Sequence, residues 1–527
     1  MRFGTHPRSC IIQSSDKPAK TNHCLKKHAP MKSIKLLLCG SLCLFTLATL
    51  ANTGCSKKST GNNADACAAG SCDGDETEEE KVETVEEEEE EEREEEGLCS
   101  TQADCSYNGE CISGNCECAE PWTGSECNKL TLGTVEKSVY GYREGFPYTT
   151  SWGASAQYDE TSEQYLMLVS EYVEECANWG WNSTVALATS ESAQGPYEKQ
   201  FTLFGVMSHE AMLARAPTGE WVVYFTASEQ ENGLPRAGDA GYEEEEVCRR
   251  SSYDQPCECP GDPDKGSKDP TWMSYTKTPL DYASWSTPEK IFDPGNDFTD
   301  LFPKGDKAES IDANFNGVIN ADGSFVGLWR TWQCTEDLFP PWTDTLAGAD
   351  EACFSVPHAV NALDWREPST YEFEAQKRDL QWLFEEQYYV NPTPRLALGI
   401  EDPMVYVDSR APEVYHAIFH EMFVPYDTVA HAYSEDGISW TYTGPVFETD
   451  ADTNMPMVRF TDGSQAGLAC ERPQLLVEEG VPTHIIIGGI PTGLNDDPEF
   501  PSGYGELDSA AEEFGWPGGA TLVIPLD

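Results

Sequence analysis

The sequence predicts an all-β chain whose larger part is a five-bladed β-propeller, and three observations predict it. From about Leu130 to Asp527, short aromatic and β-branched runs alternate with Gly, Pro, Asp and Asn, and hardly any stretch carries a helical period. One device recurs four times: a carboxylate beside a small or polar residue opens a short apolar strand, at Ser208-His209-Glu210, Ile311-Asp312-Ala313-Asn314, Glu401-Asp402-Pro403 and Cys470-Glu471-Arg472-Pro473. About eight to twelve residues on, each meets a turn such as Pro217-Thr218-Gly219 and a second strand such as Trp221-Val222-Val223-Tyr224-Phe225. Repetition at this scale brings the strand openings near one axis, as a ring of acids.

The elements before the propeller follow in order. Residues 1–30 read as an upstream extension, with Met31 the natural start. Residues 31–54 pair a basic opening (Met31 to Lys35) with an apolar run of secretory length, too short and too poorly flanked for a stable transmembrane helix. Because Gly54-Cys55 closes that run, it resembles a bacterial lipoprotein signal, which implies acylation of Cys55; Asn52 stands where such signals usually carry Leu. Residues 55–98 are polar and include seven consecutive glutamates, Glu86 to Glu92, a like-charge block that repels itself and reads as a disordered, extended tether.

Charge narrows the partners. The chain carries a net charge of -58, and residues 99–527 alone hold 73 acidic against 22 basic side chains. A folded region this acidic repels nucleic acid and anionic lipid, so membrane association is expected through a lipid anchor alone, and it suits a saline medium.

Six cysteines fall within residues 99–127, too short a stretch to fold without crosslinks, and their spacing alone leaves 15 connectivities open. Cys116-Glu117-Cys118 and the closing Pro121-Trp122-Thr123-Gly124-Ser125-Glu126-Cys127 resemble an EGF-like module. That resemblance implies the pairing Cys99–Cys111, Cys105–Cys116 and Cys118–Cys127, and a spacer or adhesion role. Lying beyond a signal sequence, the module implies an oxidising, extracytoplasmic location.

Residues 131–527 divide into five segments of roughly 80 residues, generous for four-stranded blades with long loops. The surplus lies in insertions such as Glu229 to Lys268 and Leu338 to Pro357. Ala188-Thr189-Ser190 with Gly195-Pro196-Tyr197, and Ser434 to Trp440 with its Asp436-Gly437 turn, stand at blade edges, with Glu-Asp-Pro or Glu-Arg-Pro at inner strands. Together and in this order they resemble the five-bladed propellers of glycoside hydrolase family 43 over about residues 148 to 527.

The resemblance implies inverting hydrolysis of glycans of the arabinan or xylan type. That reaction uses an Asp base on the first blade, a second, orienting Asp, and a Glu acid on a later blade, with two carboxyl groups about 6.5 to 9.5 Å apart. Glu210, Asp312, Asp402 and Glu471 are the channel acids, with Glu471 as acid and Asp402 or Asp312 as base or tuner. Glu401, Arg472, His416, His420, His431 and Trp152 are the expected sugar-binding set. The first blade reads Gly153-Ala154-Ser155-Ala156, without the family's base. Two readings therefore stand: a glycosidase, or a carbohydrate-binding or adhesion protein that lacks the base. Strand-end acids that merely accept backbone N–H groups are the plain structural alternative.

His416 and His420 lie four apart on one strand, hence on one face, with His431 on the next strand. They suit sugar hydroxyls better than a metal, and no cofactor is expected beyond room for a structural calcium ion. Trp179 and Trp181 are the aromatics most expected at an exposed mouth. Seven cysteines in this region leave one outside intradomain pairing. The chain is expected to act as a monomer on a polysaccharide or oligosaccharide.

Overall fold

The computed structural model describes residues 99–135, 150–173, 182–227, 249, 270–292, 307–310, 314–335, 352–373, 396–424, 427–450, 455–468, 470–489, 491–492 and 520–527. The signal segment, the acidic tether, Cys55, Asp312, Trp179, Trp181 and the cysteines Cys248, Cys257 and Cys259 lie outside them.

Five antiparallel sheets follow one another along the chain. Sheet one contains Thr150–Asp159, Gln164–Tyr172, Ser183–Ser190 and Glu198–Phe204. Sheet two contains Ser208–Arg215, Trp221–Ala227, Thr271–Thr276 and Glu289–Phe292. Asn316–Ile319, Phe325–Thr335, Ala352–Ala362 and Tyr371–Phe373 make sheet three. Leu396–Val407, Tyr415–Val424, Asp427–Ser434 and Thr441–Pro445 make sheet four, joined to sheet three by one parallel pairing, Ser355 with Gly399. Sheet five has Glu471–Glu478, Val481–Gly489 and Ala520–Pro525.

The strands are apolar at successive positions because each sheet is covered on both faces, and strand periodicity divides the side chains between two neighbours. In sheet one, Leu166 and Leu168 join a cluster with Val223 and Phe225 of sheet two, whereas Met167 and Val169 join Leu476, Ile486 and Val523 of sheet five. Val222 and Tyr224 of sheet two pack with Phe325 and Val360 of sheet three, and Leu328 and Ala359 of sheet three with Ala417 and Phe419 of sheet four. Tyr406 and Ile418 of sheet four share a cluster with Leu475 and Ile485 of sheet five. Packing thus returns from sheet five to sheet one, each buried large side chain contributing roughly 1.5–3 kcal/mol of apolar transfer.

The small module carries three disulfides, Cys99–Cys111, Cys105–Cys116 and Cys118–Cys127. It is not held away from the sheets as a spacer would be. Trp122, Leu130 and Cys127 belong to the core cluster that lies between sheets four and five. Leu130 donates its N–H to Val446 O at 2.7 Å, Lys129 Nζ donates to Pro445 O at 2.8 Å, and Tyr107 meets Tyr433 edge-on at 5.0 Å. A further sheet, made by Met457–Phe460, Gln465–Leu468, Pro491–Thr492 and, in parallel, Thr134–Val135, binds the segment after the module to the same region. Leu132 bridges to Leu526, and Asp527 donates its N–H to Thr131 O at 3.0 Å, so the C-terminal strand is clamped by the chain that enters the first sheet.

Candidate functional site

Each sheet begins its inner strand with one residue of positive φ. These are Gly153 (74°), Glu210 (55°), Asn314 (20°), Asp402 (51°) and Arg472 (49°). In four sheets the residue lies inside a register shift of the first strand pair: Ser151 to Ala154, His209 to Met212, Glu401 to Met404 and Glu471 to Gln474. A bulge of this kind turns one side chain out of the strand's alternation and re-aims it. For a residue other than glycine the conformation costs on the order of 1–2 kcal/mol, so four such residues at equivalent places mark a built feature. All five line one pocket.

This geometry revises the expected ring. The position equivalent to Glu210 is Asn314 in sheet three, Arg472 in sheet five and Gly153 in sheet one. Glu471 stands one residue before its sheet's pocket position, so the expected acid is displaced by Arg472. Ser155, whose neighbourhood lacked the expected base, instead accepts the Leu213 N–H at 3.1 Å and ties sheet one to sheet two. Of the residues expected at the site, Glu210, Asp402 and Arg472 line the pocket.

Arg472 organises the pocket. Its Nη2 donates to Glu210 Oε1 at 2.8 Å, its Nη1 to Trp152 O at 3.2 Å, and its Nε lies 3.9 Å from Asp402 Oδ1. A Cβ placed on Gly153 would lie 2.7 Å from Arg472 Cβ and 2.8 Å from its Cδ, so the arginine stem fills the space a side chain on sheet one would need. Backbone groups complete the cross-links: Asn314 N–H donates to Glu210 Oε2 and Arg472 N–H to Asp402 Oδ2, both at 3.1 Å. Asn314 Nδ2 also donates to Asp402 Oδ1. Glu210 N–H in turn donates to Ser170 Oγ at 3.2 Å. Trp152 contributes its carbonyl, and the residue is buried.

Asp402 is buried, and burial together with the charge of Glu401 pushes its carboxyl up to about 6, against the opposing pull of Arg472, His420 and Arg330. Glu401 forms an adjoining cluster, with Oε2 2.7 Å from Arg330 Nη1 and Oε1 3.1 Å from His420 Nδ1. Ligand atoms of Glu401, Asp402 and His420 lie within 4.8 Å of one another, the spacing a cation would need. Both oxygens of Glu401 are already engaged by a guanidinium and an imidazole, which makes the cluster a satisfied ion-pair network.

The three histidines do not act together. His416 and His431 are fully buried, with Nδ1 of one 3.1 Å from Nε2 of the other, and Trp122 of the small module lies 4.9 Å from the His431 ring. Burial holds His416 down at about 4 and His431 well below its ordinary value. Neither lines the pocket, whereas His420 stands beside it, a ring nitrogen within 4.8 Å of an Asp402 carboxylate oxygen. The edge motifs likewise prove architectural. Tyr197 donates to Ala193 O at 2.9 Å, and Asp436 accepts the Ile438 and Ser439 N–H groups at 2.8 and 2.6 Å beneath the buried Trp440.

Sequence reading missed Gly153 and Asn314. The signal was the shared frame Gly153-Ala154, Glu210-Ala211, Asn314-Phe315, Asp402-Pro403 and Arg472-Pro473 ahead of each inner strand, hidden by attention to carboxylates alone.

No protein-family model matches the chain, and no curated protein matches it. Among solved structures, a family 117 glycoside hydrolase of the marine bacterium Zobellia galactanivorans overlaps 76% of this chain and 90% of its own at 10% identity and a TM-score of 0.38. The catalytic domain of a family 62 α-L-arabinofuranosidase of Coprinopsis cinerea overlaps 75% and 97%, at 9% identity and a TM-score of 0.40. A family 43 enzyme of Xanthomonas citri complexed with xylotriose overlaps 72% and 88%, at 10% identity and a TM-score of 0.33. Scores of this size decide neither fold nor activity. The chain is described by its own geometry: an all-β protein of antiparallel sheets meeting at a polar pocket.

Proposed function

We propose that the five sheets are the blades of a propeller and that the protein is an extracytoplasmic, monomeric glycan-binding protein, held to the cell envelope through acylated Cys55, whose axial pocket holds a sugar without cleaving it. The observation that carries this reading is the place of Arg472. Its stem fills the Gly153 space from which a first-blade base would project, and its guanidinium is paired to Glu210. Inverting hydrolysis needs a carboxylate and a protonated carboxylic acid about 6.5 to 9.5 Å apart with a water between them. Both oxygens of Glu210 are engaged, Oε1 by Arg472 Nη2 and Oε2 by the Asn314 N–H, so the pairing holds this carboxylate as an acceptor fixed within the pocket. Side chains of Glu210, Asp402, Asn314, Asn316, Gln474 and Arg472 instead give the pocket the hydrogen-bonding surface that sugar hydroxyls require.

The test is a binding titration against arabinan, xylan and galactan oligosaccharides, run beside an assay for new reducing ends. Binding without product, weakened at least about tenfold in Arg472→Met, is expected. Release of product that disappears in Asp402→Asn would replace this reading by the hydrolytic one.

A further inference from the structure

One acceptor of the pocket is left unmatched, and that bears on which sugar it takes. Several of the pocket's groups are tied to one another: Asn314 Nδ2 donates to Asp402 Oδ1, Asn316 Nδ2 to Gln474 Oε1 at 3.0 Å, and Arg472 Nη2 and Nη1 to Glu210 and the Trp152 carbonyl. Asn314 is 5% exposed, and its Oδ1 is buried with no hydrogen-bond partner. A buried amide oxygen left in this state carries a desolvation cost that a ligand donor would recover.

Charge points the same way. Glu210 and Asp402 bring two negative charges to the pocket and Arg472 one positive, while the neighbouring Glu401 is balanced by Arg330 at 2.7 Å. One negative charge remains beside the orphaned acceptor. A uronate or sulfated sugar would meet this excess without an unoccupied arginine to receive it. A protonated amine has the three N–H groups and the charge the site lacks.

Resting on the glycan-binding reading, we propose that the pocket recognises an amino sugar with a free, protonated amine, the ammonium group seated between Asn314 Oδ1 and the Asp402 carboxylate and the hydroxyls falling to the surrounding amides. The same pocket discriminates against acetylated amino sugars, which have neither the charge nor the extra donors, and against uronates.

Isothermal titration of the full chain with glucosamine oligosaccharides, their N-acetylated counterparts, neutral xylo-oligosaccharides and oligogalacturonides at about 0.15 M salt tests this, because surface charges are then largely screened. Free-amine oligosaccharides are expected to bind at least about tenfold tighter than N-acetylated ones, with that preference lost in Asp402→Asn and in Asn314→Leu. Spermidine serves as the control for attraction to the acidic surface at large. Equal binding of amine, acetylated and neutral sugars overturns the inference and leaves the glycan-binding reading standing. A preference for amines that both variants retain, and that spermidine shares, also overturns it, by assigning the effect to the surface. Failure of every sugar to bind removes the glycan-binding reading itself, and this inference with it. Thermal melts of both variants establish that they fold, and Glu210→Gln supplies a second removal of charge should Asp402→Asn fail.

Discussion

Asp402 and the buried histidines store electrostatic work of opposite sign, and their protonation makes that measurable. His416 and His358 are held at about 4 by burial, and His431 is held well below its ordinary value, whereas a histidine in the unfolded chain protonates near 6.5. Between those values the unfolded state binds more protons, so each histidine's contribution to stability is complete above about pH 6.5 and drains away as the pH falls towards 4. For His416 the full loss is about 3 kcal/mol, since each tenfold change in proton affinity is worth about 1.4 kcal/mol. Asp402 runs the other way: raised from 3.8 to about 6, it favours the folded state at low pH and loses that contribution as the pH climbs through 6. Acid also relieves the repulsion among surface carboxylates, so the comparison must be with a variant. Denaturant titrations between pH 6.5 and 5 are expected to show stability rising with pH less steeply in His416→Gln/His431→Gln than in the unaltered protein. Equal slopes would mean that the pair is hydrated or already charged in the folded state.

Elements meet most closely where sheet one meets sheet five. Gly153, at φ 74°, backs onto Arg472, and a Cβ on Gly488 would come within 2.5 Å of Gly153 N, so two glycines allow the two strands their approach. Gly153→Ala is expected to cost at least about 2 kcal/mol, combining the left-handed conformation with a methyl group 2.7 Å from Arg472 Cβ, and to weaken any ligand's binding by displacing that arginine. Gly219→Ala separates the two causes, since Gly219 has φ 91° but nothing within 4 Å of its Cβ position. Melting temperatures that fall equally in both would show that the close approach at Gly153 contributes nothing. The strands themselves were legible because runs such as Leu166-Met167-Leu168-Val169 must be apolar on both faces, and turns such as Thr218-Gly219 announce themselves. The pocket was half legible. Charged side chains draw attention as chemistry, so Glu210, Asp402 and Arg472 all stood in the expected set and line the pocket, but a bulge shifts the frame by one residue. Nothing in Glu471-Arg472 states that the arginine rather than the acid turns inward. That Asn314 and Gly153 are their equivalents emerges only from the paired registers. The sheet built from Met457–Phe460 and Thr134–Val135 was illegible for a different reason: its parallel pairing joins segments more than 300 residues apart, and no local pattern encodes it.

At the scale of the whole molecule, a shared core and a shared charge decide how the protein behaves. The disulfide-bonded module contributes Trp122, 2% exposed, to the cluster that also holds Tyr406, Ile418 and Leu475, so module and sheets are expected to unfold in one transition. Trp122→Ala should lower the stability of that single transition by about 3–5 kcal/mol. A separate early transition, with the main one unmoved, would instead make the module an appendage. Acting on the same compact body, the 73 acidic and 22 basic side chains of residues 99–527 repel one another more strongly in the folded state than in the expanded unfolded chain. Salt screens that repulsion over a distance that shrinks from about 30 Å at 0.01 M to about 3 Å at 1 M. The buried pairs Arg472 with Glu210 and Arg330 with Glu401 are shielded from bulk ions and hold while the surface repulsion fades. The melting temperature is therefore expected to rise steadily with sodium chloride over this range, most steeply at the low end, where each increment of salt shortens the screening length most. A melting temperature that stays flat or falls would mean that surface attractions between neighbouring opposite charges outweigh the net repulsion, against what a charge imbalance of this size requires.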